Sequence, residues 1–304
     1  MKTNIVNRLL CAGMLPALLL AGCSRRDEAS VGTPANPLVV LLSPAHVPAS
    51  ADALEFVRKQ LEKESGLTLQ LKAAQSQGAV ISAFDSGGTD VALVTLEEFL
   101  VAREEYGVHA GLQALRGDKL SDYEGVILTR ARGGAASVAE LAGRKVGFVG
   151  PYSVSGFTLP SIYLEKAGVK AAREFVASHE AVLKRLLNGE LFAAATYARQ
   201  AARAPGLKVL AVTGKVPNEP VVFRKGLSED KIAALKAAFI SLGATKEGRK
   251  ALGAVADITG FKAVDGEVYK PLHELLRSEG KVVYDLVPEG WAIHRLNEPY
   301  RSEL

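Results

Sequence analysis

Gly147-Phe148-Val149-Gly150-Pro151-Tyr152-Ser153-Val154-Ser155-Gly156-Phe157 begins as an apolar strand and turns at Gly150-Pro151. It predicts a helix from about Thr158 to Lys166, with Ser153 and Ser155 where that helix starts. A helix N-terminus presents unpaired backbone N–H groups and roughly half a positive charge. Two hydroxyls add donors, and Gly156 lets the backbone approach closely. Strand, small-residue turn and helix start together form an anion cradle. The alternative for this stretch alone is an ordinary helix cap, since Ser is a preferred N-cap residue.

Working outward, α/β units lie on both sides. Upstream, Leu38 to Leu42 is a continuous apolar run, as expected of a strand in a parallel sheet covered on both faces. A helix over about Ala51–Ser65 follows, with Leu54, Val57 and Leu61 on one side and Gly66 as its stop. Strands at Leu67–Leu71 and Asp90–Val94 alternate with helices at about Gly78–Phe84 and Leu96–Tyr106. This βαβαβα order implies a parallel sheet with crossover helices. A second unit spans about Gly125 to Pro220. It contains a strand at Gly125–Thr129, a capping box at Ser137-Val138-Ala139-Glu140, and a helix that Ser178 caps and that runs to Leu187. Strands at Leu191–Thr196, Leu207–Val212 and Glu219–Arg224 follow, then helices from Ser228, near Lys246–Val255 and near Val268–Ser278. The tail from Lys281, with the single Trp291, reads as a loosely packed extension.

The chain has 304 residues and opens with Lys2, Arg8, an apolar run Leu9–Leu20 and Leu20-Ala21-Gly22-Cys23. This resembles a lipoprotein export signal. It predicts cleavage after residue 22 and acylation of Cys23, with residues 23–36 as a structureless tether. Cleavage would remove Lys2, Arg8 and Cys11, turning 37 basic and 33 acidic residues into 35 and 33. That near-balance gives no electrostatic reason to expect nucleic acid. One remaining cysteine excludes an internal disulfide and thiolate metal sites. His46, His109, His273 and His294 are scattered and form no metal-ligand spacing, so no metal and no cofactor are expected.

Three runs, in order and across most of the chain, resemble the periplasmic solute-binding proteins of phosphate, phosphite and phosphonate ABC importers. They are Gly150-Pro151-Tyr152-Ser153-Val154-Ser155-Gly156, Ala177-Ser178-His179-Glu180-Ala181 and Val216-Pro217-Asn218-Glu219-Pro220-Val221. The resemblance implies a type II periplasmic-binding-protein fold: two α/β lobes joined by two crossing strands, near Gly125–Arg130 and Glu219–Arg224. Lobe one is expected at 37–124 plus 225–304, and lobe two at 125–224. It further implies that Ser153, Val154, Ser155, Gly156 and His179 bind a small anion, with Val154 replacing the family's Thr. Gln77 stands where the family has a ligand-contacting Tyr. Val94 or Thr95 falls at a second such Tyr, and Arg199 near the family's amine-binding acid. Glu219 takes the place of a cleft Asp. Loss of an acid at Arg199 argues against an amine-bearing ligand. The expected partners are a permease with its ATPase or, alternatively, a membrane sensor. A lipid-anchored monomer on the periplasmic side is expected. Ser153 or Ser155 with His179 does not read as a catalytic pair, because the turn lacks a Gly-x-Ser-x-Gly elbow and no acid is placed to orient the histidine.

Overall fold

A computed structural model describes residues 27–45 and 50–294. The signal segment, Cys23 and His46 lie outside the described residues. Two sheets divide the molecule. Strands β1 (Leu38–Leu42), β2 (Leu69–Ala73), β3 (Val91–Leu93), β4 (His109–Leu115), β10 (Pro220–Phe223) and β11 (Gly260–Ala263) form one, in the order β11-β4-β10-β3-β1-β2. Strands β5 (Asp122–Arg130), β6 (Lys145–Phe148), β7 (Ala172–Phe175), β8 (Ala193–Tyr197) and β9 (Leu207–Pro217) form the other, in the order β7-β6-β8-β5-β9. The helices are α1 (Ala51–Ser65), α2 (Gln77–Ser82), α3 (Leu96–Tyr106), α4 (Leu159–Lys166), α5 (His179–Leu187), α6 (Ala198–Ala202), α7 (Glu229–Leu242), α8 (Lys246–Ala256) and α9 (Lys270–Ser278).

The apolar run of β1 has the cause expected of it. Leu38, Val40 and Leu42 face one core with Val57, Leu61 and Phe239, while Leu41 faces another with Val80 and Phe99. Side chains alternate across a strand, so a sheet covered on both faces needs apolar residues at every position. The first sheet is parallel at β2-β1-β3 and antiparallel at β10, β4 and β11. In the second sheet, Val126 and Leu128 of β5 pack with Val182 and Leu186 of α5, and Ile127 packs with Phe148 and Leu164 on the opposite face.

The crossings differ in place from the sequence expectation. Residues 125–130 pair with β8 and β9 inside the second sheet, and β10 pairs with β3 and β4 inside the first. The chain crosses instead at 116–121 and 218–219. Arg116 and Leu120 close a short antiparallel bridge, with Gly117 at φ 51° and Lys119 at φ 64°. Asn218 ties the two crossings together. Its N–H donates to the Ser121 carbonyl at 2.9 Å, and its Nδ2 donates to Ala114 and Leu120 carbonyls at 3.1 and 2.8 Å.

Two segments read as loose are packed. Within the expected tether, Val31 is buried in the first core, and Glu28 pairs with Arg224 and accepts from Lys231 through its carbonyl. In the tail, Val283, Leu286, Val287 and Ile293 are buried against α3 and its neighbours. The capping box at Ser137 does not form in full: Val138–Leu141 is a 3-10 turn without a side-chain cap bond, and Glu140 accepts from the Ala136 N–H instead. A complete capping box joins Thr95 and Glu98 at the start of α3.

Candidate functional site

A cavity of about 680 Å³ opens between the two sheets, at the crossings. Its second-lobe wall is the serine turn. β6 ends at Phe148, and the chain re-enters helix through a π-helical turn, Val154–Thr158, before α4. Ser153 caps that turn, its Oγ accepting from the Gly156 N–H at 3.1 Å. The bond uses a lone pair and leaves the hydroxyl proton to be donated to a ligand. Ser155 is 3% exposed and lies beside the Tyr123 hydroxyl. Ser153, Val154, Ser155, His179, Gln77, Glu219 and Arg199 all line the cavity. Gly156 is not among the lining residues. A Cβ there would meet Val149 Cβ at 2.7 Å and Ser153 Oγ at 2.8 Å, so its role is close packing of the turn.

His179 begins α5, whose N-cap Ser178 accepts from the Ala181 N–H at 3.1 Å. Its Nδ1 lies 2.8 Å from Thr196 Oγ1, and its ring meets Tyr197 edge-on at 4.8 Å. Burial pushes its pKa down to about 4. The imidazole therefore acts as a neutral hydrogen-bonding group. When the Thr196 hydroxyl donates to Nδ1, Nε2 carries the proton for the cavity.

The first-lobe wall and the crossings add residues that sequence reasoning missed. Glu97, at the second position of α3, reaches the serine turn: its Oε1 accepts from the Val154 N–H at 3.2 Å. Burial raises its pKa, and the nearby Glu219 carboxylate raises it further. Arg116 binds Glu219 Oε1 at 2.9 Å and the Asp257 carbonyl at 2.9 Å. Burial works against the Arg116 charge, but Glu219 and Asp257 outweigh it and the pKa rises. Tyr123 is half-buried among Glu219, Glu97 and Ser155, and desolvation of its hydroxyl raises the pKa. Arg199 sits 3.7 Å from Asp257 Oδ2, a contact between the lobes. The lining thus holds four carboxylates, Glu97, Asp122, Glu219 and Asp257, against the two guanidinium groups of Arg116 and Arg199. The acid that position 199 lacks has counterparts elsewhere in the lining, at Glu97 and Glu219.

Gln77 opens α2 after the Ser76 cap and lies next to Glu98. Glu98 itself is fully buried, accepts from Ser43 Oγ at 2.7 Å, and has its pKa raised to about 7 by burial. Its bonds to Ser43 and to the Thr95 N–H make it a structural acid of the helix start. Among the described residues no group of three His, Cys, Asp or Glu side chains is placed to hold a metal ion.

A sequence model described as ABC transporter, phosphonate, periplasmic substrate-binding protein matches residues 42–269. A phosphate-import protein of Mycolicibacterium smegmatis, PhnD, is 27% identical over 213 residues, which cover 62% of this chain and 65% of that protein. The match thus falls short of two thirds of the relative's length. Among solved structures, a Xanthomonas citri protein bound to ATP aligns with a TM-score of 0.64 at 18% identity, covering 88% of this chain and 98% of its own. A PhnD1 of Prochlorococcus marinus in complex with methylphosphonate aligns at 0.61 and 18% identity, covering 81% of this chain and 100% of its own. These structural likenesses give the type II periplasmic-binding-protein fold. The chain belongs to the family of periplasmic substrate-binding proteins of phosphonate ABC transporters, a family of binding proteins and not of enzymes.

Proposed function

We propose that this protein receives a small tetrahedral phosphorus oxyanion, of the phosphonate, phosphite or phosphate kind, and delivers it to an ABC permease. The observation that carries the reading is the convergence of Ser153, the Val154 N–H, Ser155 and His179 on one cavity between two lobes. All are neutral hydrogen-bonding groups held by two helix starts, an arrangement that stabilises an anion without burying a countercharge beside it. The relative named for phosphate import and the neighbour solved with methylphosphonate support the same ligand class. Lobe closure on the ligand would present a changed surface to the permease.

Anchoring through an acylated Cys23 belongs to this reading. Asp27 onward packs on the first lobe, through Glu28 with Arg224. Four residue steps from Cys23 to Asp27 reach roughly 14 Å at most. The first lobe would therefore ride close to the membrane.

The test is a thermal melt of the signal-less protein with phosphate, phosphite, methylphosphonate and, as controls, small carboxylates. A ligand present at about a hundred times its Kd raises stability by about 2.7 kcal/mol. The phosphorus anions should shift the melt and the carboxylates should not. No shift with any of the three would end the proposal.

A further inference from the structure

We infer that Glu97 is the specificity-determining residue of this cavity: it selects a tetrahedral oxyanion that shares one proton with its carboxylate. The inference rests on the oxyanion reading above and sharpens it. Glu97 Oε1 occupies the Val154 N–H at 3.2 Å, a donor of the cradle. The protein's own carboxylate thus stands where a ligand oxygen would bind. An incoming anion takes over that N–H and meets the displaced carboxylate at contact distance.

Among the described residues, Glu97 has no cation of its own. Arg116 is bonded to Glu219, and Arg199 lies against Asp257. Among the described residues, the groups facing Glu97 are Glu219 from the second crossing, Tyr123 from β5, Val154 from the serine turn, the Thr95 hydroxyl that caps α3, and Glu98 from its own helix. His179, across the cavity on α5, is neutral. Glu219, also in the lining, has Oε2 buried without a hydrogen-bond partner among the described residues. One wall of the cavity therefore presents acceptors, and the ligand must bring a donor to it.

A fully ionised anion such as sulfate brings only acceptors. Its lone pairs would face the Glu97 lone pairs in a partly desolvated space, where like charges are most costly. A monoprotonated phosphonate, phosphite or phosphate brings one P–OH. That hydroxyl donates to Glu97, while the remaining oxygens accept from Ser153, Ser155 and the Val154 N–H. Protonated Glu97 with a fully ionised ligand is the same complex with the proton on the other oxygen. Either way the pair holds one proton. Once free ligand and free Glu97 are both ionised, binding must take that proton from solvent, and affinity falls about tenfold per pH unit.

Calorimetry on the full mature chain tests this. Phosphite and methylphosphonate are titrated over a pH series, in paired buffers of different ionisation enthalpy, and sulfate is titrated alongside. At pH values where free ligand and free Glu97 are both ionised, the wild-type protein should take up close to one proton per ligand, and it should reject sulfate at every pH. In Glu97→Gln the amide donates without needing a proton. Proton uptake should vanish, phosphite affinity should flatten with pH, and sulfate should bind at least about tenfold more tightly than to wild type. Wild-type binding of sulfate as tight as phosphite, or phosphite binding without proton uptake, would overturn the inference. So would 2-aminoethylphosphonate binding with methylphosphonate inert, which would assign Glu97 to an ammonium instead. If Glu97→Gln does not fold, wild-type proton uptake and sulfate rejection decide the matter alone. If no oxyanion binds either folded protein, the oxyanion reading fails along with this one.

Discussion

The cavity wall supplied by the second lobe differs in kind from the wall facing it. The serine turn and the start of α5 offer hydroxyls, an amide and a neutral imidazole, each fixed by a cap or a short bond such as His179 to Thr196. The facing wall offers carboxylates: Glu97 on α3, Glu219 at the crossing, and Asp257 after α8. Donors on one side and acceptors on the other define a guest that is an anion and yet carries a proton. A wall of donors alone would hold any tetrahedral oxyanion. The acidic wall makes the site discriminate, because each unmatched acceptor pair costs more than a matched one yields.

Removing the donor side should have the largest effect. Ser153→Ala with Ser155→Ala deletes two hydroxyl donors to a charged ligand, each worth about 1.5–3 kcal/mol. Phosphite affinity measured by calorimetry should fall by at least about a hundredfold. The Ser153 cap bond to the Gly156 N–H goes too, so the melt should show a loss of about 1 kcal/mol. Unchanged affinity in a folded double variant would move the ligand away from the serine turn.

The two walls were unequally legible in the sequence. The donor wall is local: Ser153 to Gly156 and Ser178-His179 are short runs at helix starts, where residue type and position carry the chemistry. The acceptor wall is assembled from distant places. Glu97 sits in the first turn of α3, where an acid is ordinary because it favours the helix dipole. Its only sequence mark was the pair Glu97-Glu98 after Thr95, and nothing local says that Glu98 turns inward to cap while Glu97 crosses the gap. Arg116, Tyr123 and Asp257 meet only because β4, β5 and α8 end near the crossings. Strand β4 was missed because His109, Gly111 and Gln113 break its apolar pattern, and β11 because only four residues pair. The packed segment 27–36 was hidden by its polar composition: buried Val31, the Glu28–Arg224 ion pair and hydrogen bonds from Lys231, Ser228 and Thr68 hold it.

A smaller effect tests whether the donor wall is neutral. His179 has its folded pKa lowered to about 4 against an ordinary value of 6.5. The unfolded chain therefore binds the proton first as pH falls. The stability tied to neutral His179 is complete above about pH 6.5 and drains away as pH drops towards about 4. Urea melts should show wild type losing about 2 kcal/mol more than His179→Gln over that interval, below the full linkage value because the ring keeps partial solvent access. The difference between the two proteins cancels Glu98, whose raised pKa acts in the opposite direction: its stabilising share is present at low pH and lost as pH rises through about 7. Equal pH slopes in the two proteins would mean that His179 keeps its ordinary value of 6.5 in the folded state and takes up charge in mild acid, adding a second cation to the wall that holds Arg199.

The smallest effect concerns Val154, where the resemblance led us to expect a lost hydroxyl donor. Its side chain is 1% exposed and packs with Leu159 and Ile162 of the second lobe and with the first-lobe core around Leu96 and Tyr269. The residue therefore splits its work: the N–H faces the cavity, and the side chain seals the apolar contact between lobes. Val154→Thr would place its hydroxyl in that contact, not on the ligand. A buried hydroxyl without a partner costs about 1–3 kcal/mol in proteins, and Val to Thr is not a neutral exchange for that reason. The melt should drop accordingly, while phosphite affinity should stay within about threefold of wild type, since the amide is unchanged. A tenfold or greater gain in affinity at unchanged stability, about 1.4 kcal/mol, would show the Thr hydroxyl turning into the cavity. The acidic wall would then face a fifth donor, and the balance between the two walls would have to be redrawn.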